Sequence, residues 1–436
     1  MRRFQVIVFS WLLLSFVAMC LFATDGDVST VVDTEEVHTD PSGGLAVAMW
    51  DTVCIIYIDD DSDDLDVVSS GIDGTDLSGD IAGEEIRATT VEQIYDAFTI
   101  QGGDYSVVCY DTDALSYIEC YETDSAAGTL GETVEQLAIS AVHDWRYSQL
   151  AKVEGDTIFF VQGQNESDGG DGWLRSGYYN RATGDLTFNA LVEYSSGSVD
   201  GASDLCVAED TSSTAVVAGR SGSGNGVVYT WRFTHGTGAS EGAVDTLKYE
   251  DDYTPTNTCI DWKEGSDYYM FGSNYVGVNP LEFGAVEISN AGVITGGADG
   301  PPVDTLVTNV TETLHDLKHV AGDVFVYIGV DGDGYGWLKT RTVNESGVIS
   351  AVVDSLKFEG SACTTGKITV KGHTGSAYNV IITYSNADGT DRVYQKSVTI
   401  EAGGDSGWGH KFYNVTPGKI YNVDVENINK VLNKEK

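Results

Sequence analysis

The apolar residues of this chain fall in short runs broken by turns, with no helical spacing. The stretch "HDLKHVAGDVFVYIGVDGDGYGWLKTRTVNESGVISAVVDSLKFEG", residues 315–360, shows the pattern. A short segment leads into Gly-Asp, then the apolar run Val324 to Val330. A Gly/Asp turn follows, then Trp337 to Val343, a Ser-Gly turn, and a last segment opening on Val353-Asp354-Ser355. Short apolar runs bounded by Gly, Asp, Asn and Ser predict β-strands joined by tight turns.

The phrase recurs. "GDTIFFVQGQNESDGGDGWLRSGYYNRATGDLTFNALVEY" (155–194) and "STAVVAGRSGSGNGVVYTWRFTHGTGASEGAVDTLKYE" (213–250) repeat it. Val-Asp-Thr/Ser marks the end of a unit at 244–246, 303–305 and 353–355, spaced by 59 and 50 residues. Weaker copies stand at 84–92, 132–140 and 190–198. Three to four strands per repeat of about 50 residues predict a β-propeller blade. Six such units fit between 41 and 359. Val32-Asp33-Thr34 is a unit's last strand with no unit before it, as expected where a ring closes by borrowing its final strand from the start of the chain. That makes seven such strands for six units. Either the ring has a seventh blade, or one strand is surplus and packs on the rim, on a C-terminal domain, or in a neighbouring molecule's sheet.

"GDVFVYIGVDGDGYGWLKTRTVNESGVISAVVDSLKF" resembles the blade unit of uncharacterised secreted β-propeller proteins of archaea and environmental microbes. The resemblance covers roughly residues 30–360, and the first two units depart from it in lacking the Gly-Trp element. It implies fold and an extracellular location rather than an activity. Residues 361–436 read differently: "VTPGKIYNVDVE" resembles the last hairpin of immunoglobulin-like or fibronectin-like modules. The expected architecture is therefore all-β: a leader over 1–23, a propeller of six or seven blades over 24–360, and a small β-sandwich with a short basic tail over 361–436.

Composition sharpens this. Arg2 and Arg3 precede an uncharged apolar stretch from Phe4 to Ala23, which reads as a secretory signal peptide and predicts a secreted or cell-surface protein. Left uncut, the stretch is long enough to anchor the chain in a membrane. The formal net charge is −43. Residues 24–359 hold 13 Lys+Arg against 60 Asp+Glu, whereas 360–436 hold 9 against 7. Such an acidic domain repels nucleic acid. Beyond the leader stand Cys54, Cys109, Cys120, Cys206, Cys259 and Cys363, an even number that suggests disulfides in a secreted chain. Cys109 with Cys120, across one tight turn, is the pair the spacing favours.

Candidate chemistry is sparse. The turn holding Asp59, Asp61, Asp63 and Asp66 concentrates carboxylates that suit Ca²⁺, and otherwise reads as a solvated turn. His315 and His319 form an HxxxH, too far apart on a strand to share a metal. Trp173, Trp231 and Trp337 recur at one repeat position, which favours packing over sugar stacking. Sequons stand at Asn165, Asn309, Asn344 and Asn414. No sialidase-type Asp-box is present. The expectation is a non-catalytic surface or matrix protein that self-associates through strand exchange and acidic-to-basic contacts. The alternatives are an adhesion module for glycans or surface receptors, and a divergent glycan-processing enzyme.

Overall fold

The computed structural model describes residues 25–402 apart from 40, 51–52, 61–64, 74–75, 79–83, 88–90, 101–104, 113–114, 125–128, 141–144, 154–156, 166–168, 198, 200–202, 208–213, 277, 297–300, 309–310, 375–376 and 388–391, together with 419–420 and 423–424. The leader and most of the chain beyond 402 lie outside these residues.

Seven antiparallel sheets follow one another in sequence. Blade 1 comprises Pro41–Trp50, Val53–Asp60, Leu65–Asp73 and Asp76–Ser78, with Glu84–Arg87 also on its third strand. Blade 2 comprises Val91–Thr99, Tyr105–Thr112, Ser116–Asp124 and Thr129–Ala138, and blade 3 Trp145–Lys152, Ile158–Asn165, Asp171–Tyr179 and Leu186–Ser195. Blade 4 runs Asp204–Val207, Thr214–Arg220, Gly226–Phe233 and Ser240–Glu250, and blade 5 Pro255–Trp262, Tyr268–Tyr275, Val278–Glu287 and Asp304–Thr308. Blade 6 is Glu312–Ala321, Val324–Asp331, Gly336–Thr342 and Ser355–Glu359. Blade 7 takes Cys363–Thr374, Ala377–Asn386 and Arg392–Glu401 from one end of the chain and Asp33–Thr39 from the other.

The fold is a seven-bladed β-propeller. Of the two blade counts that the repeats allow, the structure has seven, and the Val-Asp-Thr strand at the start of the chain is not surplus but completes the seventh. Residues 363–401 are not the expected sandwich: they form one sheet, completed by Asp33–Thr39 in register from Asp33 opposite Ser397 to Thr39 opposite Arg392. The part of the expected sandwich beyond 402 lies almost wholly outside the described residues. Among the described residues no helix is long and apolar enough to cross a membrane.

The Val-Asp-Thr/Ser marker has a defined task. Each aspartate accepts the amide of its own following residue through one oxygen and an amide of the next blade through the other. Asp245 takes Thr246 and Ile294 (both 2.9 Å), Asp304 takes Thr305 (3.0 Å) and Ile349 (2.8 Å), and Asp354 takes Ser355 (2.7 Å) and Val28 (2.9 Å). Asp33 takes Thr34 and Leu77 (both 2.8 Å), tying blade 7 to blade 1. In the degenerate copy at 132–140, Glu135 bonds Leu186 N at 2.6 Å in the same sense. A carboxylate bridging two amides stabilises more than a neutral bond would.

Apolar cores fill the spaces between successive blades, including blades 7 and 1, where Val37 and Val393 pack with Leu45, Ile56 and Ile58. The Gly-Trp element belongs to this packing. Gly172, Gly226 and Gly336 open the third strands of blades 3, 4 and 6, and the rings of Tyr194, Tyr249 and Phe358 from the fourth strands lie over them. A Cβ on Gly336 would come within 2.5 Å of Phe358 Cζ. Gly336→Val should therefore destabilise the chain by about 1–3 kcal/mol or more, read as a lowered midpoint in urea unfolding. Blades 1 and 2 lack the element.

The charge asymmetry also finds a structural use. Two basic residues of blade 7 engage the blades beside it: Lys371 Nζ donates to Ile72 O of blade 1 at 3.2 Å, and Lys396 meets Phe358 O and Glu359 of blade 6. Arg392 pairs with Glu36 on the borrowed strand. Residues 363–401 of the near-neutral segment belong to the closing blade, between two acidic ones.

Candidate functional site

The first strand of every blade faces the ring axis, and the seven together line a channel of about 670 Å³. Polar side chains of these strands project into it.

At the waist, Asp96, Asp204 and Asp316 on blades 2, 4 and 6 alternate with Gln149, Cys259 and Lys367 on blades 3, 5 and 7. The hydrogen bonds set this level. Asp96 accepts Ala97 N and Leu150 N at 2.9 Å each. Asp204 accepts Leu205 N (2.8 Å) and Ile260 N (2.9 Å), and Asp316 accepts Leu317 N (2.9 Å) and Ile368 N (2.7 Å). Asp261, nearer one end, accepts Trp262 N at 2.9 Å and His319 N at 2.6 Å. The channel carboxylates thus repeat on the inner strands what Val-Asp-Thr does on the outer ones.

Two ammonium groups stand among these acids. Lys318 Nζ lies 3.8 Å from Asp316 Oδ1. Asp316, with Asp261, Asp204 and Asp96 behind it, holds Lys318 well above the ordinary lysine range despite burial. Burial alone would lower Lys367, yet Asp96, Asp316 and Asp204 outweigh it and its proton is held more tightly than usual. Burial pushes the Asp204 carboxyl up to about 6 against the pull of Lys318 and Lys367. Burial and Lys367 push His315 down to about 4.

His315 is therefore neutral where an ordinary histidine titrates. A folded-state value below the unfolded one makes this side chain a source of stability that is lost as pH falls from about 6.5 to 4. Its imidazole carbon shifts in a pH-titrated NMR spectrum should move near pH 4 rather than near 6.5.

Few of the sequence candidates meet at one place. Asp61 and Asp63 lie outside the described residues. Asp59 ends up opposite Leu65 in the second strand of blade 1, and Asp66 sits 3.8 Å from His38 Nε2. Among the described residues the acidic atoms close enough to share a metal belong to Glu250, Asp251 and Asp252, where Glu250 caps the amides of Asp252 and Tyr253. His315 and His319 do share the channel, but His319 turns to Gly322 O (3.1 Å) and Glu264 N (3.4 Å). Trp231 and Trp337 bond Ser240 and Asp331 at 2.8 Å, and Trp173 packs against the core between blades 2 and 3.

The expected disulfides are absent: Cys54, Cys109, Cys120, Cys206, Cys259 and Cys363 are free, buried thiols. Cys109 lies opposite Ile118, and Cys120 opposite Val107, so the two cysteines are diagonal neighbours, too far apart for a bridge. Burial pushes the thiols of Cys54, Cys120 and Cys363 up to about 12, against both metal binding and oxidation. None of the six should react with Ellman's reagent until the chain unfolds. A disulfide-linked peptide pair in a non-reducing digest would contradict this.

Asn165 is fully buried at the end of its strand and cannot carry a glycan on the folded chain. Asn344 is exposed in a turn, its Oδ1 accepting Ser346 N and Val348 N. Asn309 and Asn414 lie outside the described residues. The channel itself escaped the sequence reading. The residues were present in the sequence, an aspartate in the first strand of units 2, 4, 5 and 6, but at no constant distance from the apolar run that follows.

Compared with protein-family models and with curated proteins, the chain matches none. Several solved structures share its fold. The SapL1 lectin in complex with alpha methyl fucoside is 13% identical, with a TM-score of 0.42 over 73% of this chain and 97% of that one. The Dos1 propeller is 9% identical, with a TM-score of 0.46 over 86% and 96%. The polysaccharide lyase Uly1 is 9% identical, with a TM-score of 0.48 over 83% and 90%. At these identities the likeness is one of fold.

Proposed function

We propose that this propeller is an extracellular, non-catalytic binding protein of the adhesion class, with the axial channel as its ligand site. One observation carries the reading. The channel is roomy and polar, and Asp96, Asp204, Asp261 and Asp316 are each fixed by two backbone amides. Carboxylates so held serve as rigid acceptors better than as mobile proton carriers. Assembly by strand exchange has less support, because Asp33–Thr39 is already paired within its own ring.

Binding of the full chain to an immobilised glycan array, with Gln149→Trp as a variant that fills the waist, tests the reading. Binding that the variant abolishes supports it. Turnover of a bound glycan, or binding indifferent to the filled channel, overturns it.

A further inference from the structure

We propose that the channel's ligand is a neutral, hydroxyl-rich molecule of saccharide size, held at the waist by Lys318, Lys367 and Gln149 as donors and by Asp96, Asp204 and Asp316 as acceptors. The inference rests on the channel-binding reading and adds its chemistry.

Charge removes two ligand classes. Four channel aspartates face three lysines, Lys152, Lys318 and Lys367, within a chain of net charge −43. An anion is repelled on approach and again at the waist. A metal ion needs carboxylate oxygens that converge. Here each aspartate is tied to its own blade and the next, and none belongs to the group of acids whose atoms lie within 4.8 Å of one another. Lys318 and Lys367 also occupy the space between them. An organic cation meets the same two ammonium groups.

Hydrogen-bond capacity selects among neutral ligands. A carboxylate oxygen has two lone pairs and each ammonium has three N–H bonds. The amides take one lone pair on each oxygen of Asp96, Asp204 and Asp316 and leave the other open to the channel side. Three acceptors, Asp96, Asp204 and Asp316, thus share the channel with three donors, Gln149, Lys318 and Lys367. A hydroxyl group donates and accepts at once, so a ring bearing several hydroxyls satisfies neighbours of both kinds. An apolar ligand would leave these groups without partners, which weakens binding by about tenfold or more for each. A volume of about 670 Å³ falls in the range of small-molecule sites.

Calorimetric titration of the full chain with glucose, galactose, mannose, fucose, lactose and maltose, and with glucuronate and glucosamine as charged counterparts, tests this. At least one neutral sugar should bind, the charged counterparts about tenfold or more weakly. Lys367→Met and Gln149→Leu should each weaken neutral-sugar binding by about tenfold. Gln149→Leu leaves every charged pair intact, so it stays informative should Lys367→Met misfold. Neutral binding untouched by Gln149→Leu, or a preference for glucuronate or glucosamine, overturns the ligand class while leaving the binding reading in place. If no sugar binds in titration or on the array, both fall.

Discussion

A chain lacking residues 25–39 should lose its closed ring and its cooperative unfolding. The deletion removes the outer strand of blade 7 and everything it fastens. The backbone pairing from Asp33 to Thr39 goes, with buried Val37. So do the bonds of Gly26 N, Ser29 N and Val32 N to Glu401, Thr399 and Ser397, at 2.6, 2.8 and 2.9 Å. Two clamps are cut as well: Asp354 loses Val28, and Leu77 loses Asp33. At about 1 kcal/mol for each backbone bond, more for the carboxylate bonds, the loss is on the order of 5–10 kcal/mol, comparable with the whole stability of a typical domain. The bared edge of Arg392–Glu401 would also template pairing with other chains. The expected result is a broad, early thermal transition with concentration-dependent light scattering. A synthetic peptide of residues 25–40 should restore a sharp transition, and the same peptide with Asp33→Ala should restore less. An unchanged, reversible transition in the deleted chain would show that the ring closes without this strand.

Much of this architecture could be read in the sequence because it is written in repeats. Val-Asp-Thr/Ser and the glycine before Trp173 and Trp337 recur because a carboxylate clamp and a ring stacked on a bare backbone are needed at each blade junction. Asp33 identified the first strand as a last strand for the same reason. Blade 7 was misread because it lacks these signs. Its outer strand lies more than 350 residues away in sequence, and its third strand carries no Gly-Trp. Its lysines looked like a second domain's surface, whereas Lys371 and Lys396 point at neighbouring blades and Lys367 points down the axis.

The cysteines misled for a different reason. An even count says nothing of side-chain direction: all six thiols are buried, and Cys206 and Cys259 also border the channel. The channel was missed because its aspartates are scattered through an acidic chain. Only their shared depth within the ring distinguishes Asp96, Asp204 and Asp316 from the other acids, and depth follows from register rather than from local spacing.

Lys339→Met should destabilise the chain far more than Glu312→Leu, and the two together should do little harm. Glu312 and Lys339 form a buried ion pair inside blade 6, their side chains 4% and 12% exposed. Removing one member of such a pair leaves a charge without its partner, at about 3–5 kcal/mol. The members differ in what remains. Without Lys339, the Glu312 carboxylate is enclosed, with Gly329 and Thr313 packed beside it. Without Glu312, Lys339 keeps the face of Trp337 5.5 Å away, and its long stem can carry the ammonium outward. Lys339→Met should therefore show the full penalty in urea unfolding at pH 7, and Glu312→Leu a smaller one, about 1–2 kcal/mol. The double variant should unfold within about 1 kcal/mol of the parent. Equal losses in the two single variants would mean that Lys339 is as confined as Glu312, and that blade 6 has no route by which an ammonium reaches solvent.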